Sequence, residues 1–361
     1  MLGGRLPLFL GRDGAAAGPS TADWTSPDLP RRVAALRLMR ADPAAGRAAL
    51  AAVWKDEAAD ARAALLAALE AGLGGDDEPF LEERLDDRSG KVRAEAARLL
   101  ARVPGSRWQE RMRARAAAAV QFRPGGLLSR DAMTVTLPAP DDASRRDGLD
   151  AKGAGAGAAL LRQLAMSAPL SSWMGGTPAR WIRLAMAGDW AEALVPGWTD
   201  AAARERDAIW LAALLDTLLH YPTLKPWTVP ALQAVAAALP APELEAAVLA
   251  AMRGGQPPPP ALLQACRHDW SANLTRAVLG WAEKCAAVDA APGRAPDYAQ
   301  SHAISAFLDL LADHGHPQAA GPLSAAQADL PEGAPPLVRR AFDEAAATLR
   351  FRQAMHQEFA R

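Results

Sequence analysis

The sequence predicts an all-α protein in which helical hairpins stack as an α-solenoid, followed by a second helical array. Three observations support this fold class. Half of the 361 residues are hydrophobic, and alanine, the strongest helix former, is abundant throughout. From about residue 30 onward, apolar side chains recur with the period of a helix. One stretch of sequence also repeats after 31 residues, which is the length of one helical hairpin.

The internal repeat is seen when residues 54–69 are aligned with residues 85–100. In the second copy, a short helix over residues 80–85 is followed by an aspartate turn and then by a helix that a Pro-Gly pair ends. This pattern resembles the HEAT repeat, in which a turn aspartate and a Val-Arg pair recur at the same places. We expect the Arg93 guanidinium to lie near Asp87 or the neighbouring repeat and to stabilise the stacking of the hairpins. The residues that define the repeat are Asp56, Arg62, Asp87, Val92 and Arg93.

Interruptions of the helical pattern predict four segments. Residues 124–158 are rich in Gly, Pro and Asp and lack a sustained apolar face, so we expect them to be exposed. Within them, Met133–Leu137 alternates in polarity as a single extended segment does. The predicted segments are a flexible N-terminal extension (1–28), a HEAT-like repeat domain (29–123), a linker (124–158) and a C-terminal α-helical array (159–361).

Prolines predict the helix boundaries of the C-terminal array. A proline removes one helical hydrogen bond and disfavours helical backbone at the residue before it. The predicted breaks are at Pro169, Pro196, Pro222, Pro240, Pro257–Pro260, Pro292 and Pro322.

The charges nearly balance over the whole chain, with 40 Lys and Arg against 41 Asp and Glu. Nothing global therefore attracts nucleic acid or an anionic membrane. Residues 84–123, the basic stripe, are the exception, because eleven basic side chains there stand against four acidic ones. One interpretation is that the stripe contacts phosphates or the surface of an acidic protein. The other is that it is a solvated helix face whose charges pair within the repeat. Its candidate binding residues are Arg98, Arg102, Arg107, Arg111, Arg113 and Arg115.

Tryptophan is concentrated in the second half of the chain, which holds eight of the eleven. Indole rings fill gaps between alanine-lined helices well, so these residues are interpreted as core. The alternative is that Trp173, Trp190 and Trp198, which lie beside predicted turns, are exposed anchors for a partner.

Two groups of residues resemble incomplete metal sites. Cys266 and His268 are followed by Cys285, and His314 is two residues from His316. Neither spacing is that of a familiar zinc site, and cysteines in a helical context are commonly small core residues. The sequence therefore predicts no metal and no cofactor.

Catalytic signatures are not found in the sequence. It contains no phosphate-binding loop, no nucleophile elbow and no His-Glu-x-x-His helix. Residues 153–157 alternate Gly and Ala, but no strand precedes them, and they are interpreted as linker. The acidic residues 76–78 are interpreted as helix-start acids that meet the positive end of the helix dipole, rather than as cation ligands.

Several longer motifs lie along residues 30–280. They are Asp77–Glu82, Leu85–Ser89, Val92 with Arg93, Val103–Ser106, Arg111 with Met112, Leu137 with Pro138, Arg146–Gly148, Pro169 with Leu170, Trp173, Gly197 with Trp198, and Trp210. These motifs are similar to those of an uncharacterised bacterial family with HEAT-like repeats. The resemblance implies partners rather than a reaction, since members tend to be encoded beside a MoxR-type AAA ATPase, a von Willebrand factor A protein and a SWIM zinc-finger protein.

The sequence therefore predicts a protein-binding scaffold or adaptor in the cytoplasm rather than an enzyme. Two cysteines are too few for a disulfide framework and suit a reducing compartment, and charges interrupt every stretch that might span a membrane. The AAA ATPase and the von Willebrand factor A protein are the expected partners. The alternative is a HEAT-like nucleic-acid-binding protein or DNA glycosylase that uses the basic stripe, although no glycosylase motif maps onto the chain.

Overall fold

A computed structural model describes residues 20–126, 129–220, 225–290 and 297–359. Within these ranges the chain forms eighteen α-helices and one two-stranded sheet, which confirms the predicted all-α helical array. Most of the predicted N-terminal extension, residues 1–19, lies outside the described ranges. In the part of the chain that the structure describes, no helix is long and apolar enough to cross a membrane.

The helices follow one another closely. The first eight are α1 (Leu29–Met39), α2 (Pro43–Val53), α3 (Ala59–Ala68), α4 (Glu78–Arg84), α5 (Gly90–Leu100), α6 (Arg107–Ala119), α7 (Asp142–Arg146) and α8 (Ala156–Ser167). The remaining ten are α9 (Pro178–Ala187), α10 (Ala191–Glu205), α11 (Ala208–Leu219), α12 (Thr228–Ala238), α13 (Ala241–Ala251), α14 (Pro260–Ala265), α15 (Ala272–Asp289), α16 (Tyr298–His314), α17 (Ala320–Ala328) and α18 (Pro336–Phe359). Short 3-10 helices lie at Thr21–Thr25, Gly75–Asp77, Leu170–Ser172, Arg253–Gly255 and Pro317–Ala319.

The chain divides into two compact units that alternate along the sequence. Unit 1 comprises Met1–Arg115, Leu137–Leu160 and Ser167–Pro169. Unit 2 comprises Ala116–Thr136, Leu161–Met166 and Leu170–Arg361.

In unit 1, helices α1, α3 and α5 pack side by side. Small residues at the contacts, Ala35, Ala68 and Ala96, are fully buried and let the helix backbones approach one another closely. Helix α2 packs on α1 and helix α4 on α5, so that the chain advances as successive hairpins. Fully buried leucines from both layers, such as Leu36 and Leu81, form the core between them.

The predicted repeat has matching hydrogen bonds. Arg62 Nη1 donates to the Glu57 carbonyl (2.8 Å), and Arg93 Nη1 donates to the Arg88 carbonyl (3.2 Å), 31 residues later. Arg93 also donates to the Asp87 carbonyl at 2.8 Å. The carboxylate of Asp87, however, pairs with Arg62 of the preceding hairpin (3.0 Å). The ion pair thus joins two hairpins rather than lying within one.

The other repeat positions differ in burial. Val92 is fully buried, as a residue facing the core of a helical hairpin should be. Asp56 is exposed, unlike its half-buried counterpart Asp87.

Arg40, directly after α1, has a fully buried side chain. Its guanidinium pairs with both carboxylate oxygens of Asp77, at 3.0 and 2.7 Å, and neither side chain is exposed. Arg47 adds a second ion pair to Asp77 at 2.7 Å. Gly46 leaves the room that this arrangement needs, since a Cβ there would lie 2.7 Å from Arg40 Cδ. The remaining donors of Arg40 reach backbone carbonyls of Ala71, Pro43, Leu69 and Gly72.

The position of Asp77 within residues 76–78 suggests an acid that only meets the positive end of a helix dipole. In the structure, Asp77 is also the buried partner of Arg40 and Arg47. Burial alone would raise its pKa, but hydrogen bonds from Arg40, Arg47 and the Gly74 N–H outweigh burial and hold the pKa below its ordinary value. A carboxylate with a lowered pKa stabilises the folded state above that pKa and loses this contribution as the pH falls through it.

Part of the predicted linker is folded rather than exposed. Residues 120–123 and 132–135 form the antiparallel strands β1 (Val120–Arg123) and β2 (Ala132–Val135), so the expected extended segment is paired, with Val120 opposite Val135. Asp141 caps α7 through its carboxylate and the Ser144 N–H. Ser144, Asp147 and Leu149 are buried in unit 1. Short helices with one polar face show too little apolar periodicity to be distinguished from a loop by sequence.

Unit 2 also has two layers of helices. Helices α10, α12, α14, α16 and α18 follow one another in one layer, while α9 packs on α11 and α13 on α15 in the other. Pro196 was predicted as a helix break, and this was wrong, because α10 continues through it from Ala191 to Glu205. The side chain of Pro196 and its neighbours Val195 and Gly197 are buried, and this packing holds the helix together despite the lost hydrogen bond.

We expect Arg40→Ala to lower the free energy of unfolding by about 3–5 kcal/mol, because it leaves the Asp77 carboxylate buried with fewer partners. Urea denaturation measures this loss. Arg31→Ala is the matched control, since Arg31 is 68% exposed in its pair with Asp28 and should change stability by less than about 0.5 kcal/mol. The difference between wild type and Arg40→Ala should shrink as the pH falls below 3.8, the ordinary pKa of an aspartate. Equal losses in both variants would contradict this role of Arg40.

Candidate functional site

The structure places most of the basic stripe in ion pairs within unit 1. Five of its six candidate arginines contact carboxylates in that unit, and the shortest separations lie between 2.6 and 3.1 Å. The pairs are Arg98 with Glu70 and Glu95, Arg102 with Glu70, Arg107 with Glu78, Arg111 with Glu82 and Asp147, and Arg115 with Asp147. Arg113 is exposed, and no ion pair to it is found in the described ranges. The stripe's positive charge is thus largely compensated by acids from other parts of the fold.

Asp147 is the centre of this network. Its carboxylate is 2% exposed and accepts hydrogen bonds from Arg111 (2.7 Å) and Arg115 (2.6 Å). Its backbone carbonyl accepts from the Trp108 indole at 3.0 Å. Sequence reasoning missed this residue because it lies in the predicted linker. The signal in the sequence is the Arg146–Gly148 motif, in which a glycine follows the acid. In the structure Gly148 has a φ of 82°, and a Cβ there would lie 2.8 Å from the Ala97 side chain, so that glycine is required at this position.

The tryptophans proposed as anchors are mostly buried. Trp173 and Trp198 have ring centroids 5.2 Å apart at 80°, and Trp198 is fully buried. Trp181 and Trp210 complete the cluster, with centroids 5.6 Å from Trp173 and 5.5 Å from Trp198. The anchor interpretation is therefore wrong for Trp173 and Trp198, because edge-to-face packing places both in the core of unit 2. Trp190 is half-buried at the start of α10.

The first set of possible metal ligands serves the fold instead. Cys266 is fully buried, and its thiol donates to the Leu262 carbonyl. Burial raises its pKa to about 12, and the charge of Glu245 adds to the shift, so the thiolate that binds metal is disfavoured. His268 Nε2 lies 2.9 Å from Glu245 Oε1, and Cys285 is half-buried with its pKa raised, first by burial.

The second set is also engaged in local contacts. The His314 ring stacks on Trp270 with centroids 6.4 Å apart, and His316 Nδ1 accepts from the Gln318 N–H. Across the residues that the structure describes, no three His, Cys, Asp or Glu side chains cluster as metal ligands.

Unit 2 carries a groove along α10 and α12, which we call the α10–α12 groove. It consists of two cavities of about 320 and about 580 Å³ that share Ala234 in their linings. The lining of α10 runs from Glu192 to Arg206, which at 1.5 Å per residue is about 20 Å of helix. Small side chains form much of the wall: Ala203, Ala208, Ala231, Ala234, Ala237 and Ala238.

Both ends of the groove carry charge. Arg206 and Glu243 line the larger cavity. Arg206 ends α10 in the left-handed conformation, with a φ of 51°, and is the one non-glycine residue of the described ranges with a positive φ. Such backbone costs on the order of 1 kcal/mol or more and is held only where the surrounding structure enforces it.

The smaller cavity contains the more unusual acid. Asp200 is half-buried, and the described parts of the chain offer its carboxylate no hydrogen bond or ion pair within 4.0 Å. Burial raises its pKa above the ordinary value, and the more distant charges of Arg162 and Arg204 only partly oppose this shift. Glu192, Trp227 and Arg162 line the same cavity. An acid with unused hydrogen-bonding capacity in a cleft is typical of a binding site.

The fold and the groove together define an all-α helical array with a cleft in unit 2. No curated protein and no solved structure matches the chain. Residues 8–359 match the profile of a family of unknown function, DUF5691, so the chain belongs to that family.

We expect Asp147→Ala to lower the free energy of unfolding by about 2–3 kcal/mol, because Arg111 and Arg115 lose their shared counter-ion. We expect a smaller loss of unfolding free energy than for a fully buried pair, because the side chains of Arg111 and Arg115 are 32% and 24% exposed. Thermal or urea denaturation measures it. Asp142→Ala is the control, because the Asp142 side chain is 97% exposed in its pair with Arg145. If Asp147→Ala has the same free energy of unfolding as wild type, the network does not stabilise unit 1.

Proposed function

We propose that the protein is a helical-repeat scaffold that binds other proteins through the α10–α12 groove of unit 2. The observation that carries the proposal is a groove about 20 Å long with an alanine wall and charged groups at both ends. Alanine leaves the helix backbones accessible to a partner, and the flanking charges select its orientation. A helix of about 14 residues or an extended peptide of about six matches this length.

The unit 1 hairpins support the same proposal. Their 31-residue spacing, the Arg62–Asp87 ion pair between successive hairpins and the buried Val92 agree with HEAT-like repeats. Stacked repeats of this kind present extended surfaces to other proteins. We propose a cytoplasmic location on the basis of the cysteine content. From the family resemblance, we propose an AAA ATPase of the MoxR type and a von Willebrand factor A protein as partners.

The groove also offers a way to test partner binding. Ala234→Arg places a long charged side chain in the lining that both cavities share, and should reduce recovery of the partner at least tenfold in affinity capture followed by mass spectrometry. Ala250→Arg is the control, because Ala250 is an exposed position of α13 outside the groove. Both variants must keep the wild-type melting temperature. Equal recovery by wild type and Ala234→Arg would place the binding surface elsewhere, and no partner with wild type would contradict the scaffold proposal.

Nucleic-acid binding through the basic stripe has less support, because five of its candidate arginines already pair with carboxylates in unit 1. A phosphate contact would have to displace a carboxylate at each of these positions.

For that reason we expect no tight binding of duplex DNA. Fluorescence anisotropy with a labelled duplex at about 50 mM salt should give a dissociation constant weaker than about 10 µM. Arg113→Ala, which removes an exposed arginine that has no ion pair in the described ranges, should leave the signal unchanged. Tight binding that weakens steeply with salt, and weakens further in Arg113→Ala, would favour the nucleic-acid function instead.

A further inference from the structure

We propose that the smaller cavity of the α10–α12 groove binds a lysine or arginine side chain of the protein partner, with the cation held by the carboxylate of Asp200. This inference rests on the proposed scaffold function and names the chemistry that the groove recognises.

The first argument is the state of Asp200. Its carboxylate is half-buried in a cavity, and no donor from the described parts of the chain lies within hydrogen-bonding distance of it. Partial burial disfavours the ionised carboxylate, and a cation supplied from outside would offset this effect. Burial is the main cause of the raised pKa of Asp200, and a bound cation would lower that pKa by stabilising the ionised carboxylate.

The second argument is the charge balance of the lining. Two carboxylates, from Asp200 and Glu192, stand against the single guanidinium of Arg162. Arg162 and Glu192 are exposed, whereas Asp200 is partly withdrawn from water. A cation that enters the cavity is therefore attracted by Asp200 more strongly than it is repelled by the exposed Arg162, since charges interact more strongly where the effective dielectric constant is low.

The third argument is the apolar part of the wall. Pro196, Pro230 and the indole of Trp227 line the same cavity as the acids. The methylene stems of lysine and arginine pack on such surfaces while their cationic ends reach a carboxylate.

The acceptors of the cavity favour arginine over lysine. Two carboxylates, those of Asp200 and Glu192, are in its lining. A guanidinium has five N–H donors and can use several acceptors at once, so the site suits arginine better than lysine.

The probe for the test is a capped arginine, N-acetyl-arginine-N-methylamide, titrated into the full chain and followed by saturation-transfer NMR. We expect a dissociation constant on the order of 1 mM, as is usual for so small a ligand. The capped citrulline, which has the same shape without the charge, and the capped glutamate should each bind at least tenfold more weakly.

Variants then locate the site. Asp200→Asn should weaken binding of the capped arginine at least tenfold, and Glu192→Gln, an exposed position that does not threaten folding, about threefold. Asp313→Asn is the matched control, because Asp313 is an exposed aspartate of α16 outside the groove, and it should bind like wild type. Melting temperatures confirm that each variant is folded.

The proposal is overturned if citrulline or glutamate binds as well as arginine, or if neither Asp200→Asn nor Glu192→Gln weakens binding. It is also overturned if Asp313→Asn weakens binding as much as they do. Failure of the scaffold proposal has a different signature, since affinity capture with wild type would then recover no partner. A partner captured equally by wild type and Asp200→Asn leaves the scaffold standing and rejects the arginine site.

Discussion

The ion pair between Arg40 and Asp77 is the constraint around which unit 1 is built. It joins the end of α1 to the turn before α4, and the Arg40 guanidinium also donates to four backbone carbonyls. Three of those carbonyls, of Leu69, Ala71 and Gly72, lie in the turn after α3, and the fourth belongs to Pro43 at the start of α2. Without such a donor these backbone groups would need another hydrogen-bond partner. A single side chain thus fixes the positions of two turns and a carboxylate. Burying both charges is costly alone, and the complete set of partners makes the arrangement stable.

Charge compensation over long sequence distances is the general device of this unit. Arginines on α5 and α6 meet acids that lie 28 to 36 residues away, as in the pairs of Arg98 with Glu70 and Arg111 with Asp147. A local count of charges therefore overstates the positive field of residues 84–123. In the groove of unit 2, by contrast, Asp200 has no ion pair within 4.0 Å in the described parts of the chain. The paired Asp147 belongs to the ion-pair network of unit 1, whereas the unpaired Asp200 is the basis of the binding function that we propose for unit 2.

Features with a local signal could be predicted from the sequence. The helical class, the 31-residue repeat and the burial of Val92 all follow from periodicity, and Arg93 lies beside the Asp87 carbonyl as its spacing suggests. Features that depend on distant partners could not be predicted. Asp77 lies 37 residues from Arg40, and nothing in the intervening sequence indicates the pair. The candidate groove was missed for the same reason, since alanine and proline carry no chemical motif and acquire a role only when α10 and α12 pack together.

The place of Asp147 in the chain has a consequence for synthesis. On the ribosome, Arg111 and Arg115 emerge well before the aspartate that they share, because 32 residues separate Arg115 from Asp147. At typical translation rates this interval lasts about 2–6 s. During that time the guanidinium of Arg115 lacks the carboxylate with which it pairs in the folded protein. Because unit 1 also includes Leu137–Leu160 and Ser167–Pro169, its helical hairpins can reach their final packing only after these later residues have been synthesised.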